Sequence, residues 1–233
     1  MYEKVFRRQE IKYLLSPETH RALMQIIEPY LRQDRYFHGT NCSVYLDTPS
    51  RDLAIKSLEK PLYKEKVRVR SYGVPTLDDT VFVEIKKKFR GIGSKRRIGV
   101  KLRDWYTYLG GQPLPTDHPQ IAAELDYTLN YHGLQPALFI AYDRYAYVDE
   151  DNPAFRLTFD HRIRYRTDRL QLERGDAGTP YFNDDTVLME VKALDAYPLW
   201  FVRALSKLRI HPASFSKYNK ITQQIITKEK SHV

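Results

Sequence analysis

The chain has 233 residues, enough to bury a core as one large domain or two small ones, and its 42% apolar and 13% aromatic content excludes a disordered basic tail. Its 38 Lys and Arg against 29 Asp and Glu give a formal charge of +9, which favours an anionic partner: nucleic acid, an acidic membrane surface or a phosphorylated small molecule. A single cysteine, Cys42, excludes an internal disulfide and a thiolate metal cluster, and the seven His show no HxxxH or HxH spacing.

The first stretch, MYEKVFRRQEIKYLLS, holds no apolar run of signal-peptide length, and no segment is apolar for long enough to span a bilayer; a soluble, cytoplasmic protein is expected. Polar and apolar residues alternate over 5–14, predicting a strand. Ser16, Pro17 and Glu18 read as an N-cap with Pro at the first helical position, and the spacing of Leu23, Ile26, Ile27, Tyr30 and Leu31 carries that helix to about Asp34. Cys42 is expected to be a small buried residue at the start of a strand. Period-two alternation recurs over 43–48, 64–72, 80–89, 95–103, 137–148, 154–165 and 186–194, mostly between Pro, Gly, Asn or Asp clusters. Helices are predicted from Pro119 to His132, from about Pro198 to Arg209, and, as a short element, from near Ser216 with Ile221, Ile225 and Ile226. The Asp-, Arg- and Gly-rich stretch 166–185 reads as an exposed loop or hairpin tip. Without a repeat or a linker, one domain over 1–233 is expected.

Successive side chains of a strand point to opposite faces, so the polar faces can be written out. They carry Arg8, Glu10 and Lys12; Lys64, Lys66, Arg68 and Arg70; Glu84, Lys86 and Lys88; Lys95, Arg97, Lys101 and Arg103; Tyr142 and Arg144; Arg156, Thr158, Asp160, Arg162 and Arg164; and Glu190 and Lys192. The opposite faces are almost wholly Val, Ile, Leu, Met and Phe. Seven such strands in an open sheet would leave a wide wet face and unprotected edges, whereas closure removes the edges. The expected fold class is therefore α+β: a closed antiparallel β-barrel with a charged interior and helices packed on the outside. An interior of cations is costly without counter-charge, so it implies a polyanionic ligand, and Arg forks and Lys point charges suit phosphates. Glu10, Glu84 and Glu190 can each pair with a neighbouring cation. Glu190 is also the best candidate for a divalent ion whose other ligands come from phosphate and water, since its neighbour Lys192 can hold the same phosphate.

Together these residues resemble the triphosphate tunnel superfamily and, within it, the VTC-type domain of inorganic polyphosphate polymerases. The superfamily's first strand carries Glu-x-Glu-x-Lys; here Arg8-Gln9-Glu10-Ile11-Lys12 keeps the lysine, and Arg8 departs from the hydrolases and cyclases in which both glutamates hold metal. The other matching motifs are Lys66-x-Arg68-x-Arg70, VFVEIKKK with Glu84 and Lys86, AYDRYAY with Arg144, FRLTFD with Arg156, LMEVK with Glu190 and Lys192, and SFSKY with Ser216 and Lys217. Where the family has a Lys-rich floor near its end, residue 214 here is Ser, leaving Lys217 and Lys220 to serve.

The resemblance implies a polymerase that passes the γ-phosphate of ATP to inorganic polyphosphate or pyrophosphate with Mn or Mg as cofactor, releasing ADP. It implies catalytic roles for Arg68, Arg70, Arg144 and Lys86, phosphate contacts from Lys12, Lys66, Arg156, Lys192, Ser216 and Lys217, and metal ligation by Glu190 with Glu84. Export of the polymer would rest on a membrane-protein partner in trans. A triphosphate hydrolase of the same fold and a non-catalytic polyphosphate-binding module are the alternatives. Nucleic acid is not an expected partner, for the chain has no RNP-like aromatic pair, KH loop or zinc knuckle.

Overall fold

The computed structural model describes residues 9–59, 61–90, 92–194 and 196–231. Among them the fold is α+β, with six α-helices and a large antiparallel sheet. In chain order the elements are β1 (Gln9–Leu15), α1 (Pro17–Ile27), β2 (Leu31–Asp47), α2 (Asp52–Leu58), β3 (Tyr63–Tyr72), β4 (Thr80–Phe89) and β5 (Ile92–Lys101). There follow α3 (Leu102–Leu109), α4 (Pro119–His132), β6 (Gln135–Asp149), β7 (Arg156–Arg166), β8 (Thr179–Pro180), β9 (Val187–Ala193), α5 (Leu199–Lys207) and α6 (Lys217–Ser231). The strand order is β1-β9-β7-β6-β2-β3-β4-β5, with β8 beside β7. Hydrogen bonds among the described residues do not close this sheet, so the expected closed barrel is not made by strand pairing. No described helix is long and apolar enough to cross a membrane.

Two compact units can be distinguished. The first comprises 1–39, 142–163 and 180–215, and the second 40–141, 164–179 and 216–233. In the first, Leu23 and Ile27 of α1 and Phe201 of α5 pack with the inward residues of β1, β7 and β9: Tyr13, Leu15, Leu157, Phe159, Met189 and Val191. In the second, Val67, Val69, Val81, Val83, Ile85, Ile98 and Val100 of β3–β5 pack with Trp105, Leu125 and Leu129. Each such residue taken out of water contributes about 1.5–3 kcal/mol. The apolar halves of the alternating strands thus end up where period two places them.

α1 begins as expected: the Ser16 hydroxyl accepts from the Thr19 amide at 3.1 Å, with Pro17 in the first turn. It does not reach Asp34. Pro29 has no amide hydrogen and its ring crowds the carbonyl four residues earlier, so the chain passes through a 3₁₀ turn, Glu28–Tyr30, into β2. That strand starts twelve residues before the predicted 43, which places buried Cys42 inside it rather than at its start. α2 has no local N-cap; instead the buried Asp47 carboxylate accepts from the amides of Leu53 (2.9 Å) and Ala54 (3.0 Å). α3 replaces the end of the strand predicted over 95–103, because Leu102 and Trp105 bury at helical spacing. The stretch 166–185 is not simply exposed: Arg166 donates to the carbonyls of Arg169, Gln171, Gly175 and Ala177, and Leu172 is buried. α6 is a 15-residue helix rather than a short one, burying Tyr218, Ile221 and Ile225. The beginning of the predicted first strand, 5–8, lies outside the described residues, and Arg8 with it.

Candidate anion-binding sites

In the second unit, strand pairing brings polar residues of four strands into rows. Paired positions across a sheet share a face. One row is Tyr45, Arg68, Glu84 and Arg97; the next toward the β3 start is Lys66, Lys86 and Lys95 on β3, β4 and β5; on the other side Arg70 stands between Ser43 and Phe82. Glu84 is 2% exposed and central. Arg68 reaches its Oε2 at 2.6 Å and donates to the Tyr45 hydroxyl at 2.9 Å. Lys95 Nζ lies 2.6 Å and Arg97 Nε 3.7 Å from Oε1. Burial alone would raise the pKa of Glu84, but the charges of Arg68 and Arg70, with Lys95, pull it down to about 2. Arg70 is buried, with its Nε 3.3 Å from Ser43 Oγ, while Lys86 is exposed.

The late SFSKY stretch meets β3 in the same unit. Lys66 Nζ donates to Ser216 Oγ at 3.0 Å and to Asn219 Oδ1, and Asn219 is fixed in turn by donating to Ser57 Oγ. Lys66 also lies over the Tyr218 ring, which stacks on Tyr45 at 4.4 Å, while the Tyr218 hydroxyl donates to Asp47. Lys217 opens α6, half-buried.

The first unit carries a second set. Across β1, β9 and β7, Lys12 stands opposite Glu190 and Glu190 opposite Thr158; Glu10 stands opposite Lys192 and Lys192 opposite Arg156. Glu190 Oε1 is 2.7 Å from Lys192 Nζ, and Oε2 is 3.6 Å from Lys12 Nζ. Burial opposes ionisation here too, yet Lys192, Arg144 and Lys12 hold this carboxyl well below the usual carboxylate range. Arg144 is clamped by Asp160 through two hydrogen bonds of 2.6 and 2.8 Å. Burial works against its charge, and Asp160 more than compensates, raising the pKa. Arg156 pairs with Asp34 at 3.0 Å, and Lys12 also donates to the Phe215 carbonyl.

Each unit therefore carries its own share of the predicted residues: Lys66, Arg68, Arg70, Lys86, Ser216 and Lys217 lie with Glu84 in the second, and Lys12, Arg144, Arg156 and Lys192 with Glu190 in the first. Sequence reasoning missed Asp160, Asn219 and Tyr45 as partners of the cations. Asp160 was legible as a polar-face residue beside Arg156 and Thr158, but nothing local marks which arginine it meets.

Among the described residues no three His, Cys, Asp or Glu side chains gather as a metal cluster. Glu84 and Glu190 each offer one ionised carboxylate, and Glu84 Oε1 is buried without a well-formed hydrogen bond despite the nearby Lys95. This donor set suits a divalent ion that brings phosphate oxygens and water as its other ligands, and does not suit one held by protein alone.

Cation rows built around buried ionised carboxylates on an antiparallel sheet are a chemistry that suits an anionic ligand. The chain belongs to the VTC domain family, whose model it matches over residues 7–226. No curated protein matches it. Its fold is similar to that of a candidate adenylate cyclase from Bacillus halodurans, at 14% identity and TM-score 0.56 over 90% of this chain and 95% of that one. A second, from Vibrio parahaemolyticus, is similar at 11% identity and TM-score 0.50 over 93% and 98%. At such identities the likeness is one of fold alone.

Proposed function

We propose that this chain, acting as one VTC-type domain, is a polyphosphate polymerase that transfers the γ-phosphate of ATP to a growing inorganic polyphosphate chain and releases ADP. Membership of the VTC family supports a phosphate-directed activity. The observation that carries the reading is the β3 face, where Lys66, Arg68 and Arg70 recur at every second residue and are held by Ser216, Glu84 and Ser43. A linear polyanion is the ligand such a row suits, and in this proposal the sheet closes as a barrel around it.

Phosphoryl transfer needs alignment and charge neutralisation more than covalent help. The terminal oxygen of polyphosphate is already ionised near neutral pH, so its attack on the γ-phosphorus of ATP needs no strong protein base. A new P–O bond forms as the bond to the β-bridging oxygen breaks, and the electron pair leaves on ADP. Arg68, Arg70, Arg144 and Lys86 would stabilise charge on the transferring group. Lys12, Lys66, Arg156, Lys192, Ser216 and Lys217 would hold the flanking phosphates. Glu190, with Glu84, would hold a Mn or Mg ion, which when bound neutralises phosphate charge. Their depressed pKa values keep both carboxylates anionic for that purpose. The working setting in this reading is cytoplasmic, with a membrane-protein partner for any export.

The test is incubation of the purified chain with ATP and Mn, with and without short polyphosphate primer, and separation of products on a urea gel. A ladder from the wild type that Arg70→Ala and Glu190→Ala both lose is the expected result. Phosphate release without a ladder makes the chain a hydrolase, and polyphosphate binding without turnover makes it a binding module.

A further inference from the structure

At one end of the β3–β4–β5 ladder, Tyr63 stands opposite Phe89, and Phe89 opposite Ile92. Paired positions share a face, so the three form one apolar row. With Leu62, which precedes it, this row is between 47% and 79% exposed. Scattered exposed apolar residues are ordinary in a soluble chain, but a contiguous group marks an interaction surface.

The surface continues onto α4. Tyr63 donates to Glu65 Oε2 at 2.9 Å, and Glu65 Oε1 lies 2.6 Å from His132 Nε2. The His132 ring meets Tyr131 edge-on at 4.8 Å, and Tyr131 stacks on Tyr127 at 5.4 Å. Both tyrosine rings are exposed. Glu65 therefore ties the strand aromatics to the helix aromatics through two hydrogen bonds.

Cations border this surface. The Arg90 guanidinium lies over the Phe89 ring at 5.3 Å, and exposed Lys88, paired with Lys64, stands at the same end of the ladder on its opposite face. Lys87 and Arg96 are engaged by Glu124, at 2.8 and 3.5 Å, and Glu65 is buried under Tyr63 and His132. The charge presented beside Phe89 is accordingly positive.

From this juxtaposition we infer that the β3–β5 end of the second unit docks on an anionic phospholipid surface. Phe89 and Ile92 enter the acyl boundary, the Tyr127 and Tyr131 rings lie at the headgroup level with their hydroxyls wet, and Lys88 and Arg90 meet lipid phosphates. A free polyanion would satisfy the cations but would leave Phe89 and Ile92 in water. This inference stands apart from the polymerase reading, since neither of those residues, nor Arg90, belongs to the polar faces from which the proposed phosphate site is drawn.

The test is co-sedimentation of the full chain with vesicles of phosphatidylcholine alone and of phosphatidylcholine and phosphatidylglycerol in equal parts, at low and high salt. Two double variants accompany the wild type, Phe89→Ser with Ile92→Ser and Lys88→Glu with Arg90→Glu, each checked by thermal melting for an intact fold. The wild type is expected on the anionic vesicles only, with binding weakened by salt and reduced roughly tenfold or more in both variants. Unchanged binding in the serine variant would overturn the proposal, for the cations would then be reading phosphate charge alone. Absence of vesicle binding would overturn it too. Self-association that the serine variant abolishes would then make this an interface between copies, and its absence would leave a protein partner as the occupant.

Discussion

Glu84 on β4 and Glu190 on β9 are both buried and both ionised, yet they keep different company. Glu84 is gripped by a guanidinium, Arg68 at 2.6 Å, with Lys95 and Arg97 beside its other oxygen. Glu190 is held by two ammonium groups, Lys192 at 2.7 Å and Lys12 at 3.6 Å, while Arg144 of the same unit has its own carboxylate in Asp160. A guanidinium fork fixes geometry; an ammonium is a point charge on a flexible stem. Glu84 therefore acts as an anchor that aims Arg68, whereas the lysines at Glu190 keep more freedom to move, a freedom that in the proposed function serves an incoming phosphate and a metal ion on the carboxylate.

The contrast is easiest to break at the cations. Arg68→Lys is expected to lower the ATP turnover rate by about 100-fold, because a lysine cannot hold Glu84, Tyr45 and a phosphate in one plane. Lys192→Arg should stay within about threefold of wild type, since a point charge there is enough. Equal losses in the two variants would remove the distinction.

Stability gives the next effect. Glu84→Gln removes the buried carboxylate that Arg68 and Lys95 pair with and should cost about 3 kcal/mol in urea unfolding. Glu190→Gln should cost about 1 kcal/mol, because the flexible stems of Lys12 and Lys192 let their ammonium groups turn to water, which the fixed guanidinium fork of Arg68 does not. A reversed order would make Glu190 the anchor.

Acid separates the units in a different way. Burial, helped by the nearby His161, lowers the pKa of His20 in the first unit from 6.5 to about 4. The unfolded chain takes up this proton before the folded one does, so stability falls as the pH drops from 6.5 toward 4. Glu84 is depressed from 4.5 to about 2, so its contribution is complete above pH 4.5 and is lost as the pH falls toward 2. Melting temperature against pH should therefore show two windows. His20→Phe should flatten the upper one, and Glu84→Gln should shrink the lower, to which Glu190 of the first unit also contributes.

The smallest expected effect is at Asn219. Asn219→Ala removes one oxygen acceptor from Lys66 but leaves Ser216, so the KM for polyphosphate should rise roughly threefold with kcat little changed. A fall in kcat alone would place Lys66 on the transferring group instead.

Much of the sheet was legible because a strand's alternation is written locally. β4 begins and ends at its predicted residues, and so does α4, with Gly133 in the left-handed conformation just past its end. The failures came where a local pattern met a distant partner. Tyr30 and Leu31 fit a helical stripe, but Pro29 ended the helix and the polar segment after it joined the sheet as β2. α2 lacks a capping residue beside it because its cap, Asp47, lies at the end of the preceding strand.

The candidate sites divide along the same line. The sequence by itself determined which residues share a polar face, because the pleat sends every second side chain the same way. It therefore delivered Lys66, Arg68 and Arg70, and separately Glu190 and Lys192, as sets. Only the tertiary structure decided which sets meet. Register places Arg68 between Tyr45 and Glu84, brings Lys12 opposite Glu190, and joins Lys66 to Ser216, 150 residues away. Alternation follows from the backbone of a few residues, whereas pairing follows from long-range packing that must outweigh the entropy of closing the chain, and no short stretch of sequence encodes that balance.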